Sequence, residues 1–264
     1  MFEHINKNRA YVMQIQEKVG TTVDGVAGPN TLKAVKEHYG CEVICHNGKF
    51  VPLFNSTDYL VEHDLSLYEL PDGTRNWCHR SKPAESICLH WGGHTPRNLY
   101  RIFYNSKSRH VSTHFAIGRD PRDNNRIEVM QFLDTALQAY HAGKFNKFSV
   151  GIDISQSVQA KHINVALKNG HDVEVIENTG RGEKEMLSLD PEIAEVAKAF
   201  IEDLRLAMEI DDKPICKDEE VYGIYDACGF SIISHMNISK RKWDCALPWA
   251  EMLHHRIDNG PKCK

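Results

Sequence analysis

Three places in the sequence put an ionisable side chain at the edge of an apolar run. His90 closes Ile87-Cys88-Leu89, His235 closes Phe230-Ser231-Ile232-Ile233-Ser234, and Lys242-Trp243-Asp244 follows a few residues later. Two imidazoles and a carboxylate make a catalytic zinc set, with three protein ligands and one open position for water. Zinc in such a set lowers the pKa of its water to roughly 7 and polarises a substrate carbonyl. For an amide bond this supplies the nucleophile and the electrophilic activation together. The spacing is not that of the H-E-x-x-H metalloproteases. Any single one of the 15 histidines therefore reads first as a structural or surface residue, and only the set carries the chemistry.

These side chains need elements that bring them to one place. Residues 86–91 form a short apolar run ending at Gly92-Gly93, as a buried strand does, and 113–118, 126–132 and 148–154 read as three further strands. Residues 98–105 are helix-like. Asp190-Pro191-Glu192 opens a strong helix, with Asp190 as N-cap, Pro191 at the first helical position and acidic Glu192 and Glu195 near the positive helix end. Its apolar face is Ile193, Val196, Ala197, Phe200, Ile201, Leu204 and Met208. A last short strand, 229–234, ends at His235. The order predicts an α/β domain with a mixed central β-sheet flanked by helices.

The first 85 residues read differently. Residues 9–18 and 30–39 have helical apolar spacing, and Asp24-Gly25 and Gly28-Pro29 mark a turn between them. Gln16, Val23-Asp24-Gly25, Gly28-Pro29-Asn30-Thr31 and Ala34-Val35 together resemble the peptidoglycan-binding helical module of cell-wall enzymes. The alternative is a plain helical hairpin packed on the main domain. Residues 41–85 read as strands and turns, with a hairpin at Asn47-Gly48 and a strand-like Leu67-Tyr68-Glu69-Leu70 before Pro71-Asp72-Gly73. Cys41-x3-Cys45-His46 lacks a second Cys/His pair at zinc-finger spacing, so no metal is expected there. The expected division is a helical module over 1–42, a connecting strand and turn region over 43–84, and a catalytic domain over 85–264.

From residue 85 to about 255, four separated blocks are similar to the zinc-dependent N-acetylmuramoyl-L-alanine amidases of the type 2 family, whose fold is shared with peptidoglycan recognition proteins and several bacteriophage endolysins. The blocks are Ile87-Cys88-Leu89-His90-Trp91, Val111-Ser112-Thr113-His114-Phe115-Ala116-Ile117, Ala139-Tyr140-His141-Ala142-Gly143 with Asn146-Lys147-Phe148-Ser149-Val150-Gly151-Ile152-Asp153-Ile154, and His235 with Lys242-Trp243-Asp244. The resemblance implies Zn2+ on His90, His235 and Asp244, with Cys245 as the alternative third ligand. It implies that Lys242 stabilises the oxyanion. Asp153, where one branch has glutamate, would be the general base, or would only orient the water because it is one methylene shorter. Where other branches have tyrosine this chain has Thr113, which cannot serve as an equivalent acid. His141, Trp91 and Thr113 would contact substrate, with a buried hydrogen-bonded imidazole as the other reading of His141. His114 would be structural support, and the two glycines after Trp91 would admit substrate backbone.

Composition narrows the partners. The chain has 264 residues, with 41% hydrophobic, 26% charged and a formal net charge of −4. It has no long apolar run and no basic excess, which argues against membrane insertion and nucleic acid. The 8 cysteines are expected as buried thiols or ligands rather than disulfides. The expected partner is bacterial peptidoglycan, bound by a monomer. The N-terminal residues lack the apolar stretch of a signal peptide. With the resemblance, this suggests an endolysin made in a host cytoplasm and released to the wall.

Overall fold

The computed structural model describes residues 8–54, 56, 59–63, 74–105, 110–120, 123–210, 213–216 and 218–253. The strand expected at Leu67-Tyr68-Glu69-Leu70 lies outside the described residues. Among the described residues there are twelve strands: β1 (Glu42–His46), β2 (Lys49–Leu53), β3 (Leu60–His63), β4 (Trp77–His79), β5 (Ser86–Trp91), β6 (Phe115–Asp120), β7 (Asp123–Gln131), β8 (Leu137–Ala139), β9 (Ser149–Ile154), β10 (Val175–Glu177), β11 (Glu185–Leu187) and β12 (Ile232–Ser234). The longer helices are α1 (Arg9–Lys18), α2 (Pro29–Tyr39), α3 (Pro96–Asn105), α4 (Ile163–Lys168) and α5 (Pro191–Ala207), followed by the short α6 (Ile224–Ala227) and α7 (Leu247–Leu253).

The central sheet is mixed, in the order β12-β5-β9-β6-β7-β3. The neighbours β12, β5, β9 and β6 run parallel, whereas β6 and β7 are antiparallel. Strand β5 is buried over five of its six residues, which explains the unbroken apolar run in its sequence. Its alternating side chains serve two faces. Ile87 and Leu89 join Val150, Ile152, Phe200 and Trp249 in the main core, while Cys88 joins Phe145 and Ile233 in a second cluster. Helix α5 covers the first face. Asp190 caps it, accepting from the amides of Glu192 and Ile193 at 3.0 and 3.4 Å, and is itself held by Arg119 at 2.7 Å.

Several elements start or stop away from their expected limits. The strand expected over 113–118 begins at Phe115 and runs on to Asp120. The last strand is only Ile232–Ser234, with His235 opening a short 3-10 turn.

The described residues up to His63 are shared between two cores. Val12, Ile15, Ala27 and Val35 of the helical pair bury against Val43, Cys45 and Phe50 of the β1–β2 hairpin. Strand β3 leaves that unit and pairs with β7 at the sheet edge, and β4 pairs with β8. The hairpin turns at Asn47 and Gly48, both at positive φ (51° and 69°), as a tight two-residue turn requires. Gln16 is the hub of the helix-to-helix turn. Its amide nitrogen reaches Asp24 Oδ1 at 2.7 Å, Thr31 Oγ1 at 3.0 Å and Val26 O at 3.1 Å, and its oxygen accepts from the amides of Asp24 and Gly25 at 3.1 and 2.8 Å. Removing a buried hub strands its partners. Gln16→Ala should cost about 1–3 kcal/mol in this unit. Urea denaturation followed by fluorescence measures it, and a loss near zero would mean that water replaces the side chain without penalty.

Candidate active site

The register of three parallel strands assembles the site. Ser234 pairs with Leu89, so His235 follows beside His90, and His90 pairs directly with Asp153. The fourth group comes from the chain after β12. The amide of Met236 donates to Asp244 O at 2.6 Å, and the amide of Lys242 donates to Ser239 O at 3.1 Å, which folds 236–244 back onto the strand ends. Asp244 Oδ2 then lies 3.2 Å from His90 Nδ1 and 3.0 Å from His235 Nδ1. The three ligand atoms fall within 4.8 Å of one another, and all three residues are buried.

The donor set suits a zinc ion: two imidazole nitrogens and one carboxylate oxygen, convergent and shielded from water. Cys245 stands elsewhere. Its side chain is wholly buried in the main core with Ala246 and Trp249, and burial pushes its thiol well up.

Burial governs the protonation of the cluster. It drives His90 down to about 4, against the opposing pull of Asp244, so the ring is neutral at neutral pH with a lone pair to give. Burial would raise Asp244, but its hydrogen bonds to His235 and His90 outweigh it and hold the carboxyl well below its usual range. Asp153 has no such partner. Its Oδ1 is buried without a hydrogen bond, and burial, with Asp244 nearby, raises the carboxyl to about 8 despite Lys242. Lys242 itself is exposed at the rim.

Two glycines make room for these groups. A Cβ on Gly92 would sit 2.6 Å from Asp153 Oδ1, whereas one on Gly93 would meet nothing within 4 Å. Gly92 thus seats the carboxylate. Gly151, on β9, has the rings around it: a Cβ there would lie 2.8 Å from Thr113 Oγ1 and from His141 Cγ.

The remaining expected contacts divide. Trp91 is half-buried and packs edge-on against Trp243 and Trp249, with centroids 4.5 and 5.4 Å apart. It also lines a cavity of about 300 Å³ with Gly93, His94, Gln156 and His162. A second cavity of about 270 Å³ shares Gly93, His94, Gln156, Ser157 and His162. His94, in the loop after β5, therefore borders both. Thr113, expected to touch substrate, is 1% exposed, and its hydroxyl is buried without a partner. It packs inside the fold rather than along a groove. His141 contacts His90, with His141 Nδ1 2.9 Å from His90 Nε2. His114 accepts from the Gly151 amide at Nδ1 (3.0 Å), which leaves Nε2–H to donate to Leu137 O at 3.0 Å, a structural imidazole of fixed tautomer.

The sequence reading gave no role to Trp243, quoted only as part of Lys242-Trp243-Asp244, or to Gly182. Gly182 has φ of +119°, and a Cβ there would fall 2.2 Å from the Trp243 ring. Only glycine lets that loop close over the tryptophan that braces the Asp244 segment. The G-R-G run in the sequence was the available signal.

A family model for N-acetylmuramoyl-L-alanine amidases matches residues 80–246, more than half of the chain. The chain belongs to the N-acetylmuramoyl-L-alanine amidase family. The matched span contains His90, His141, Asp153, His235, Lys242 and Asp244. Solved structures similar to this amidase-family chain include wild-type Drosophila PGRP-LB (14% identity, TM-score 0.45, covering 76% of this chain and 98% of that one). A selenomethionine AmpD derivative gives 15% identity and a TM-score of 0.43, with 74% and 93% covered. The endolysin amidase LysCS from Clostridium intestinale gives 12% identity and a TM-score of 0.41, with 73% and 91% covered. A comparison with curated proteins returns no match.

The buried Asp153 carboxyl makes a pH prediction for the metal-free protein. The unfolded chain ionises this group near 3.8, while the folded chain holds the proton to about 8. Folding therefore takes up a proton between these values, and the stability linked to it, complete below 3.8, is lost as pH rises through about 8. Asp153→Asn should flatten that part of the stability profile. Urea midpoints across the interval test this, and parallel wild-type and variant profiles would mean an ordinary carboxyl.

Proposed function

We propose that this chain is a zinc-dependent peptidoglycan amidase that hydrolyses the bond between N-acetylmuramic acid and L-alanine, as an endolysin acting on the bacterial cell wall. The observation that carries this reading is the convergence of His90, His235 and Asp244, one ligand atom from each within 4.8 Å and both Nδ1 atoms against Asp244 Oδ2, beside a carboxyl on the next strand. These three residues would hold the zinc. A bound zinc ion supplies Lewis-acid chemistry, polarising a carbonyl oxygen and acidifying water.

The chain's own residues do the rest. Asp153 is positioned by its register with His90 and by the space at Gly92. Its carboxylate takes the proton of the attacking water and returns it to the leaving amine nitrogen. Its raised pKa suits that exchange near neutrality. Lys242 places an ammonium at the rim, where it stabilises negative charge growing on the carbonyl oxygen. The cavities running from Trp91 past His94 to His162 give the substrate a polar bed of imidazole, hydroxyl and amide groups. The α1–α2 unit with its hairpin serves as a wall-binding module, supported by its resemblance in sequence.

His90→Ala or His235→Ala should abolish both zinc binding and hydrolysis. Asp153→Asn should keep the metal and lose about 10²–10⁴ in rate. Gly92→Ala should push Asp153 aside and cost on the order of 10²-fold. The assay is the appearance of free L-alanine amino termini from purified walls, with and without a chelator. New reducing sugar ends, or hydrolysis indifferent to chelation, would overturn the amidase reading. Wall binding without hydrolysis at stoichiometric zinc would point to a recognition protein instead. An Asp153→Asn rate near wild type would remove the general base.

A further inference from the structure

We propose that His141 is a positioning residue that fixes the tautomer of the zinc ligand His90, acting through a chain of hydrogen bonds that ends on the backbone. The inference rests on the zinc reading above and adds a role for a histidine that touches neither the reacting atoms nor the metal.

The argument is one of proton placement. A neutral imidazole has one N–H and one lone pair. His90 Nδ1 faces Asp244 Oδ2 and His235 Nδ1, the convergent side. A ring that gives its Nδ1 lone pair to a cation must carry its proton on Nε2. That nitrogen lies 2.9 Å from His141 Nδ1, which must then accept. His141 in turn carries its proton on Nε2, 3.5 Å from Ser149 Oγ, and Ser149 donates to Phe145 O at 3.1 Å. With the His90 Nδ1 lone pair given to a cation, in place of an Nδ1–H donated to Asp244 Oδ2, every donor in the series points toward the backbone carbonyl.

The surroundings hold His141 to this task. Its own amide and that of Ala142 both donate to Asn146 Oδ1, at 3.0 and 2.5 Å, fixing the backbone from which the ring projects. The ring occupies the space left by Gly151, where a Cβ would come 2.8 Å from His141 Cγ and 2.9 Å from Nδ1. The two rings meet edge to face, at 88° with centroids 5.0 Å apart, the geometry in which an N–H in one plane meets a lone pair in the other. Histidine ligands are commonly oriented by a carboxylate or carbonyl on the far nitrogen. Here a second imidazole takes that place. Cys88, His90 and His141 also offer one ligand atom each within 4.8 Å of one another, a second donor trio on the His141 side of His90. A metal there would need the Nε2 lone pair, which the proposed tautomer denies.

The test titrates the metal-free full-length chain with Zn2+ against a chromophoric chelator, for wild type, His141→Phe and His141→Asn. Phenylalanine keeps a ring and removes the acceptor, whereas asparagine offers an amide oxygen near the Nδ1 position. The expected result is a zinc dissociation constant about 10- to 100-fold weaker for His141→Phe, largely restored in His141→Asn, with KM for substrate unchanged at saturating zinc. Gly151→Ala, which displaces the same ring, should weaken zinc in the same direction and stands in if His141→Phe does not fold. Long-range 15N correlation spectra of zinc-loaded wild type should show His90 protonated at Nε2. Wild-type affinity in His141→Phe, a His90 proton on Nδ1 with zinc bound, or two zinc ions per chain each overturns the inference while leaving the zinc reading intact. A wild-type chain that holds no zinc overturns both.

Discussion

The structure depends on the register of three parallel strands. Pairing Ser234 with Leu89 and His90 with Asp153 brings residues from distant parts of the chain to one end of the sheet. A slip of one residue in β5 would exchange His90 with Leu89 across the sheet, placing an imidazole in the core and a leucine at the site. What fixes the register is the apolar face opposite. Ile87, Leu89, Val150 and Ile152 interlock there under α5. The packing core and the chemical site are thus the two faces of the same strands, and the hydrophobic effect on one specifies geometry on the other.

The same burial sets the charge state of the cluster. Imidazoles and carboxylates in a dry environment are costly to ionise. Burial lowers His90 and His141, which stay neutral, the form that binds metal. One carboxylate, Asp244, remains ionised because two imidazoles bond it, and the other, Asp153, is driven toward its neutral form because it has no such partner. Two residues of one type in one site therefore take opposite roles, separated by their hydrogen bonds. The aromatic packing of Trp91, Trp243 and Trp249 keeps the Asp244 segment against the strand ends and water away from the inner side.

The region before β4 shows a different economy of structure. The helical pair is too small to bury its own apolar face and completes its core with the β1–β2 hairpin. Lys36 and Glu42 tie this unit to the sheet edge: their ion pair is 2.6 Å, Lys36 donates to Val61 O, and Glu42 accepts from the Val61 amide. The connecting region thus supplies three of the seven buried residues of one core cluster, Val43, Cys45 and Phe50, and the edge strand β3 of the central sheet.

Much was legible in the sequence. The mixed α/β class, the strands at Ile87 and Val150, the Asp190 cap, the Asn47-Gly48 turn and the residues His90, His235 and Asp244 follow from local pattern and from blocks of resemblance. Local pattern carries these because period, capping and turn chemistry are properties of neighbours in the chain. What only the tertiary structure decided is which far-apart atoms meet. It turned Asp244 toward the histidines and Cys245 into the core, buried Thr113, set His141 behind His90, and gave Gly92 and Gly151 their purpose as vacated volume. Those outcomes depend on strand register and on the space left by missing side chains. Neither is a property of any single stretch of sequence, because both come from close packing between segments that the chain order keeps apart.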